Sequence, residues 1–300
     1  MKKLIVEMPK SIKNNKEGFG FFVDLFHTME NNVDKEIILD FNKTRWLEAN
    51  LSAILGAIIS MGSKNNNIEI IRISSSVNRI LQRNKFLSKF GKEESYIDYY
   101  ETTIRYSEFK ESDKIKFQEY LKSEFIPGIQ INMSDEFKKE LRLNLEEIFQ
   151  NARIHGKCDN IHVCGQYFFK NQKVMFTIVD LGKTIVQNYK DYFDDKQIKA
   201  DKAIDWVTKD GNSTKNDDET GGIGLYQLRQ FLKENGGTMQ IISSNGYWEE
   251  NGDYKTMHIY DRAFGGTIVN IEVKVNEILY KTDREKITLK DDYIDLNNIF

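Results

Sequence analysis

The chain has 300 residues, of which 40% are hydrophobic and 30% are charged, a composition typical of a soluble globular protein that buries a core. Its 43 basic and 46 acidic residues leave a formal net charge of −3, which gives no reason to expect a nucleic-acid partner held through backbone phosphates. With only two prolines, the chain lacks a proline-rich linker, so we expect any two domains to be closely joined.

The start of the chain and its longest apolar run bear on cellular location. Residues 1–7 reach a charged side chain at position 7 without an apolar stretch long enough for a signal peptide. The longest apolar run, residues 51–61, is shorter than the roughly 20 residues that span a bilayer. Two cysteines suit free thiols in a reducing compartment. We therefore expect a cytoplasmic protein that does not enter a membrane.

Strand and helix patterns alternate in the first third of the chain. The predicted elements are strands at residues 3–8, 36–41 and 68–73 and helices at residues 18–29, 47–61 and 77–90. This alternation predicts a small α/β unit in which helices cover the sheet. We place the unit at residues 1–112 and expect residues 96–109, rich in Tyr, Ile and Thr, to add one or two strands to it.

Two helices are predicted to open a second unit, at residues 114–125 and 134–154. Ser134 stands before two acidic residues and can cap the free N–H groups of the second helix. Gly156 follows that helix and can adopt the positive φ that commonly ends one. The helix carries an apolar stripe formed by Leu141, Leu145, Ile148, Phe149 and Ala152.

The rest of the second unit mixes strands and helices. The predicted elements are a hairpin of residues 161–169 and 174–179, helices at residues 185–193, 199–208 and 225–234, and strands at residues 239–243, 257–260 and 267–273. We place the unit at residues 113–275 and treat residues 276–300 as a charged C-terminal tail. The fold class expected for the whole chain is α/β (α+β).

Cys158 and Cys164 flank His162, which raises the question of a metal site. The spacing Cys-x5-Cys with one interior histidine matches no common zinc pattern. Residues 161–166 also read as a strand, so we expect the two cysteines to have ordinary packing or surface roles.

Asp180 ends a segment, residues 174–179, whose apolar run is typical of a buried strand. A carboxylate at the end of such a strand can accept a hydrogen bond from the exocyclic amine of adenine. Gly182 lets the backbone approach a flat base closely. On their own, these two residues also fit an ordinary turn, so both interpretations stay open here.

Three glycines, Gly221, Gly222 and Gly224, stand directly before the predicted helix that starts at Leu225. Glycines at a helix start let successive N–H groups point at anionic oxygens, assisted by the positive end of the helix dipole. Gly-x-Gly is a common arrangement, so the segment equally fits a flexible loop that leads into a helix.

A polar run, residues 209–221, precedes these glycines and is too long for a casual turn. Functional lids are a common reason for such loops. Ser213, Thr214 and Lys215 within it could fold over the γ-phosphate of a bound nucleotide, although a solvated loop is the simpler interpretation.

Glu147, Asn151 and His155 recur at four-residue spacing, so they lie one turn above another on the predicted helix. Asn151 offers a neutral oxygen suited to Mg²⁺. Glu147 would point at the same place and could orient or deprotonate an attacking water or hydroxyl. We assign His155 a structural or phosphate-adjacent role rather than that of a phosphate acceptor.

Taken in this order, the three segments resemble the nucleotide-binding boxes of the Bergerat-fold or GHKL ATPases, the superfamily of gyrases and histidine kinases. The matches are Glu147-x-x-x-Asn151 to the N box, Asp180-x-Gly182 to the G1 box and Gly221-Gly-x-Gly-Leu225 to the G2 box. The run Glu-x-x-x-Asn-Ala-x-x-His-Gly is most similar to the anti-sigma-factor serine kinases. The resemblance covers about residues 113–275.

The resemblance implies a sandwich of a mixed sheet and helices, with ATP and Mg²⁺ bound under a mobile lid. It implies that Glu147 is the catalytic base, Asn151 the Mg²⁺ ligand and Asp180 the residue that reads adenine. Thr184 departs from the pattern, because the G1 box usually has a second glycine there. This departure bears on lid hinging and on the packing of adenine.

The first unit resembles STAS domains, the fold of anti-sigma-factor antagonists, through residues 37–41 and the helix after them. In those antagonists a serine at the start of that helix accepts phosphate. The matching residues here are Glu48, Ala49 and Asn50, so the acceptor is missing. The resemblance implies a docking or autoregulatory module.

Two functions remain open on the sequence alone. The first is an Mg-dependent ATPase or serine/threonine protein kinase, which depends on Glu147 as base and on a protein partner as acceptor. The second is a nucleotide-gated interaction switch, in which ATP orders residues 209–221 with little or no catalysis. A homodimer is left open. A sensor histidine kinase is disfavoured, because His27 lacks a two-helix dimerisation context.

Overall fold

The computed structural model describes residues 2–91, 102–129, 133–212 and 224–275. Within these ranges the chain is a mixed α/β protein whose strands form sheets of three, five and two strands. Each helix in the described ranges is too short or too polar to traverse a bilayer. The C-terminal tail at residues 276–300 and most of the predicted lid lie outside the described residues.

The first third of the chain forms the three-stranded sheet and the helices on it. Its elements are β1 (Lys2–Glu7), β2 (Ser11–Ile12), α1 (Lys16–Glu30), β3 (Lys35–Asp40), β4 (Trp46–Leu47), α2 (Ser52–Gly62), β5 (Asn67–Ile71), α3 (Ser75–Arg83) and α4 (Phe86–Lys89). The strands β1, β3 and β5 pair in parallel in that order, and β2 pairs with β4. The α/β alternation predicted from the sequence is confirmed.

The remainder of the chain forms the five-stranded sheet. Its elements are β6 (Thr103–Lys110), α5 (Lys114–Tyr120), α6 (Ile126–Gly128), α7 (Asp135–Asn151), β7 (Asn160–Phe168), β8 (Lys173–Asp180), α8 (Ile185–Phe193), α9 (Ala200–Val207), α10 (Gly224–Glu234), β9 (Thr238–Asn251) and β10 (Tyr254–Lys274). The strand order is β6-β7-β8-β10-β9.

Every pairing in this sheet among the described residues is antiparallel. The resemblance implied a mixed sheet, and for these strands that expectation is wrong. Two of the four pairings follow from the connections: β7 and β8, like β9 and β10, are joined by short turns, and a short turn can only join antiparallel neighbours.

The strand β6 also lies elsewhere than expected. We predicted that residues 96–109 extend the first sheet, but β6 pairs with β7 and forms an edge of the five-stranded sheet. The residues before it, 92–101, lie outside the described residues. A strand pattern in the sequence predicts an extended backbone. Which strand it pairs with depends on long-range packing, which the local pattern does not specify.

Residues 238–274 form two long strands where we predicted three short ones. Residues 257–260 and 267–273 both belong to β10, and β9 extends well past residue 243. The pairing of β9 with β10 shifts register twice between Ile259 and Thr267. These irregularities interrupt the alternation of side chains, which explains why one strand looked like two.

The five-stranded sheet is covered on both faces. Helices α5, α7 and α10 pack on its front face and form one apolar core with it. Helices α1 and α2 of the first unit pack on its back face, α1 against β10 and α2 against β7 and β8. Neighbouring residues of one strand therefore belong to different cores: Ile178 of β8 to the front and Val179 to the back.

A buried polar cluster crosses the back interface. Asn50, which has no exposed surface, donates hydrogen bonds to Thr177 Oγ1 at 2.8 Å and to Asn270 Oδ1 at 2.9 Å. Asn270 in turn donates to Gln240 Oε1 at 2.8 Å, and Asn14 Oδ1 accepts from Asn50 at 2.7 Å. These bonds satisfy polar groups that would otherwise be costly to bury between two apolar layers.

The two cysteines are free and buried, and they belong to different cores. Cys158 packs in the front core and Cys164 in the back core. His162 is also buried, and its Nδ1 lies 2.9 Å from the hydroxyl of Tyr106. Burial lowers the pKa of His162 to about 4. All three side chains have packing roles in this structure.

Candidate functional site

A cavity opens between the front face of the sheet and helices α7 to α10. The space between its walls, together with open solvent at the mouth, amounts to about 850 Å³. Its walls are formed by Glu147, Ile148, Asn151, Ala152, His155, Ile178, Asp180, Lys183, Ile185, Asn188, Tyr189, Trp206, Val207, Asn212, Gly224, Leu225, Thr267 and Val269. The cavity is therefore apolar over much of its wall, with polar groups at a few points, which is typical of small-ligand sites.

The structure brings together most of the predicted site residues that it describes. The six that line the cavity are Glu147, Asn151, His155, Asp180, Gly224 and Leu225. Gly182 is next to them, because its N–H donates to Asp180 Oδ1 at 3.1 Å. The other predicted contacts, Ser213, Thr214, Lys215, Gly221 and Gly222, lie outside the described residues, so their placement stays a prediction.

Helix α7 carries the first group of site residues. It begins as predicted at Ser134, whose side chain accepts a hydrogen bond from the N–H of Phe137. Glu147 and Asn151 follow each other on the face turned to the cavity. After Asn151 the chain widens into one π-helical turn, Ala152–Gly156, a feature that is frequent at functional sites. His155 lies in this turn, and its carbonyl accepts a hydrogen bond from Asn188 Nδ2 at 3.2 Å.

The end of α7 corrects one prediction about Gly156. The residue with positive φ is Lys157, at 49°, so Gly156 does not end the helix by a left-handed conformation. Gly156 is instead required by space, since a Cβ there would lie 2.8 Å from Asp180 Oδ1. Its carbonyl accepts from the N–H of Lys183 at 2.6 Å, and a Cβ on Gly182 would lie 2.0 Å from the same oxygen.

Asp180 is the most unusual titratable group of the site. It ends β8 with 4% of its surface exposed, and this burial raises its pKa to about 7. Hydrogen bonds from the backbone N–H groups of Gly182 and Thr267 act in the opposite direction. A buried carboxyl can accept a hydrogen bond from a polar ligand that lies against it. Because the local dielectric constant is low, a ligand that cannot form this bond leaves the carboxyl unpaired at a high cost, so the site favours ligands that can.

The start of α10 lies directly against Glu147. A Cβ on Gly224 would come within 1.9 Å of Glu147 Cγ, so only glycine allows this approach. The first N–H groups of a helix have no partner within the helix and carry the positive end of its dipole. The cavity thus has a carboxylate and a helix start side by side at one end.

Thr184 explains the departure from the expected second glycine. It is the N-cap of α8, where its side chain accepts from the N–H of Gln187 at 3.2 Å. The side chain of Gln187 accepts in return from the N–H of Thr184 at 2.9 Å, which completes a capping box. Position 184 therefore begins a helix in this protein, whereas a glycine there would allow the backbone to hinge.

Several cavity residues were missed by the sequence interpretation: Lys183, Asn188, Tyr189, Trp206, Asn212 and Thr267. Lys183 directly follows Gly182, so its place next to the site could have been found; it forms an ion pair with Asp191 at 2.5 Å. Thr267 could not, because it reaches the cavity only through its pairing with Asp180 across two strands. The register between two paired strands cannot be predicted from the sequence of either strand alone.

The side chains of the cavity can be compared with the ligands that Mg²⁺ prefers. Within the described ranges there is no group of three or more His, Cys, Asp or Glu side chains placed to hold a metal ion. Mg²⁺ keeps several waters and commonly takes one or two protein oxygens plus substrate phosphates. The half-buried carboxamide of Asn151 on the cavity wall suits that role. The residues present therefore fit a metal that arrives with a phosphorylated ligand.

Comparison of the whole chain with models of known protein families gives no match, and comparison with curated proteins gives none.

Proposed function

We propose that the cavity binds ATP with Mg²⁺ and that the protein hydrolyses ATP or transfers its γ-phosphate to a protein partner. The observation that carries the proposal is the convergence of Glu147, Asn151 and Asp180, from two separate segments, on one cavity. This is the set of side chains expected from the resemblance to GHKL ATPases of the anti-sigma-factor kinase type. The proposal is thus supported by both geometry and motif.

Asp180 would accept a hydrogen bond from the exocyclic amine of adenine. Its carboxyl is buried, and its Oδ1 is held by the N–H of Gly182. In its charged form such a group discriminates strongly against a base that presents an acceptor, because two acceptors face to face leave a buried polar group unpaired. The apolar side chains of Ile178 and Val269, neighbours on adjacent strands, would pack against the base.

Glu147 would orient or deprotonate the attacking water or hydroxyl. It lies on the turn of α7 before Asn151 and against the start of α10, where a helix dipole favours negative charge such as a phosphate. Asn151 would hold Mg²⁺ together with phosphate oxygens. When bound, Mg²⁺ neutralises charge that develops on the transferred phosphoryl group.

The first unit would serve as a docking or autoregulatory module in this proposal. Asn50, in the stretch that matches the phosphate-acceptor segment of STAS-type antagonists, is buried against β8 and β10. It therefore lies behind the sheet, on the face opposite the cavity. The phosphoryl acceptor, if the protein is a kinase, would be a different molecule.

Calorimetry and γ-labelled ATP test the proposal with two matched variants of α7. Glu147→Gln keeps the size of the side chain and removes the base, so we expect labelled phosphate release or partner labelling to fall by about 10²-fold or more while ATP still binds. Glu146→Gln is the control, since Glu146 accepts from Gln118 Nε2 at 2.7 Å and does not line the cavity. We expect it to keep wild-type activity.

The outcomes separate the two functions. Failure of the wild-type protein to bind ATP with Mg²⁺ would refute nucleotide binding altogether. Binding of ATP without phosphate release and without labelling of a partner would support the nucleotide-gated switch instead. The candidate partner in this assay is the protein encoded by a neighbouring gene, and the assay is run with and without it. Equal loss of activity in both glutamate variants would show that the substitutions disturb helix α7 and that Glu147 does not act specifically as a base.

A further inference from the structure

Four aromatic side chains cluster where α8 and α9 close one end of the cavity: Tyr189, Tyr192, Phe193 and Trp206. Tyr189 and Trp206 line the cavity itself. Tyr192 and Phe193 are 47% and 45% exposed at the outer side. None of the roles proposed above for the cavity uses these rings.

Trp206 packs α9 against α8 through Tyr189 and Phe193, but it is not among the residues by which α9 packs on the sheet. The side of α9 that faces the sheet is formed by small or aliphatic residues, among them Ala200, Ala203 and Ile204. Trp206 is half-buried and belongs to none of the apolar cores of the described chain. A large indole ring that belongs to no apolar core and lines a cavity is available to a ligand.

The ring of Trp206 is held in one orientation by two neighbours. Its centroid lies 5.1 Å from that of Tyr189 and 5.0 Å from that of Phe193, with interplanar angles of 85° and 87°. Tyr189 and Phe193 also contact each other at 4.7 Å. Edge-to-face contacts of this kind are favourable for aromatic pairs, so the indole is presented as an oriented flat surface.

We propose that Trp206 stacks on the base of the bound nucleotide, with Tyr189 and Phe193 as positioning residues that hold its ring. This inference rests on the proposed nucleotide-binding function and names the part of the ligand that Trp206 contacts. Flat bases stack on aromatic side chains whatever their hydrogen-bonding pattern. Asp180 would then read the edge of the base and Trp206 its face, so the site selects base-bearing nucleotides over free polyphosphate.

Binding measurements with ATP and with inorganic tripolyphosphate test the contact directly. We expect Trp206→Leu to weaken ATP binding about tenfold, within the range known for base–aromatic stacking, and to leave tripolyphosphate binding unchanged. Trp206→Phe keeps a ring and should lose less. Phe193→Leu leaves the indole in place but removes one neighbour, so we expect a smaller loss of ATP affinity. The matched control is Trp46→Leu in β4, 45% exposed in the first unit.

Fluorescence gives a second readout that a structural role would not change. The chain has three tryptophans, of which Trp248 is fully buried and Trp46 lies in the first unit. Stacking of a base quenches the indole, so we expect ATP to quench wild-type emission and to leave Trp206→Phe unquenched. The Trp46→Phe protein should keep the quench.

The inference and the function on which it rests fail in different ways. Wild-type protein that binds no ATP by calorimetry overturns both. Wild-type protein that binds ATP, together with a folded Trp206→Leu variant that binds it equally well, overturns only the stacking contact. A loss of tripolyphosphate binding equal to that of ATP would also overturn it, because it would show that Trp206 shapes the cavity without contacting the base.

Discussion

A single carboxyl group, that of Asp180, shows how position sets chemistry at the residue scale. Few acidic side chains are buried without a cationic partner, because removing a charge from water is costly. Here burial raises the pKa of Asp180 to about 7, from the ordinary value of 3.8. The protein therefore holds this group close to the midpoint of its titration at neutral pH, where a ligand that donates a hydrogen bond can favour the charged form.

This pKa predicts a pH-dependent stability with a definite sign. A carboxyl whose pKa is raised on folding contributes stability below its unfolded pKa near 4, and that contribution is lost as the pH rises through about 7. We expect Asp180→Asn, which is always neutral, to gain about 2.5 kcal/mol of stability relative to wild type as the pH rises from 5 to 8. Urea unfolding of both proteins at the two pH values measures it. An equal difference at both would contradict the assignment.

At this scale, the chemistry of the site could be predicted where it depends on local sequence. Glu147 and Asn151 share a helix face, and Asp180 follows a strand, so each could be found from spacing alone. Thr267 and Trp206 could not, because they reach the cavity through strand pairing and helix packing. Gly156 was found but for the wrong reason, since its role depends on the distance to Asp180 in the fold.

Helix α8 illustrates what an element can add to a site. Its start at Thr184 is fixed by a reciprocal pair of hydrogen bonds with Gln187. Because the helix follows Gly182 and carries Asn188 and Tyr189 to the cavity, its first turn sets where those side chains lie. A glycine at position 184 would supply no capping oxygen and would leave the start of the helix less well defined.

Substitutions at Thr184 test this role of the helix start. We expect Thr184→Ala to lower the free energy of unfolding by about 1 kcal/mol, and Thr184→Gly to lower it by a few tenths, about 0.3 kcal/mol. Denaturant unfolding of the two variants measures the loss. A larger loss for glycine than for alanine would show that the side chain of Thr184 does something other than cap α8.

Most elements could be predicted because their patterns are local. The bounds of α8 match the predicted range, and β1, β3 and β5 lie within one residue of theirs at their start. Errors arose where long-range packing decides. The partner of β6 and the continuity of β10 through its irregular pairing depend on neighbouring strands that the local sequence does not specify.

The whole molecule is organised around one sheet with two covered faces. The run Val174–Val179 has buried residues throughout, which is what a strand shows when both its faces are covered. The sequence indicated such burial, but it did not indicate that α1 and α2 provide the second cover. The polar cluster of Asn50, Thr177 and Asn270 is one of the hydrogen-bonded contacts within that interface.

Replacing Asn50 by leucine tests how strongly this cluster holds the two layers together. The substitution leaves buried Thr177 Oγ1 without the donor that Asn50 supplies and removes one of the two donors to Asn270 Oδ1, so we expect the free energy of unfolding to fall by on the order of 3 kcal/mol. Asn67→Ala at the exposed end of β5 is the control, with an expected change within about 0.5 kcal/mol. A loss for Asn50→Leu no larger than the control would show that the cluster contributes little.

The double cover of the sheet limits how the protein can be shortened. A fragment that begins after residue 112 lacks β6 together with α1 and α2, and its remaining strands would present Val179, Ile242 and Ile268 to water. An apolar surface of that kind promotes self-association. The half that carries the cavity is therefore inseparable from the half that does not, and a gene encoding one without the other would yield an aggregating polypeptide.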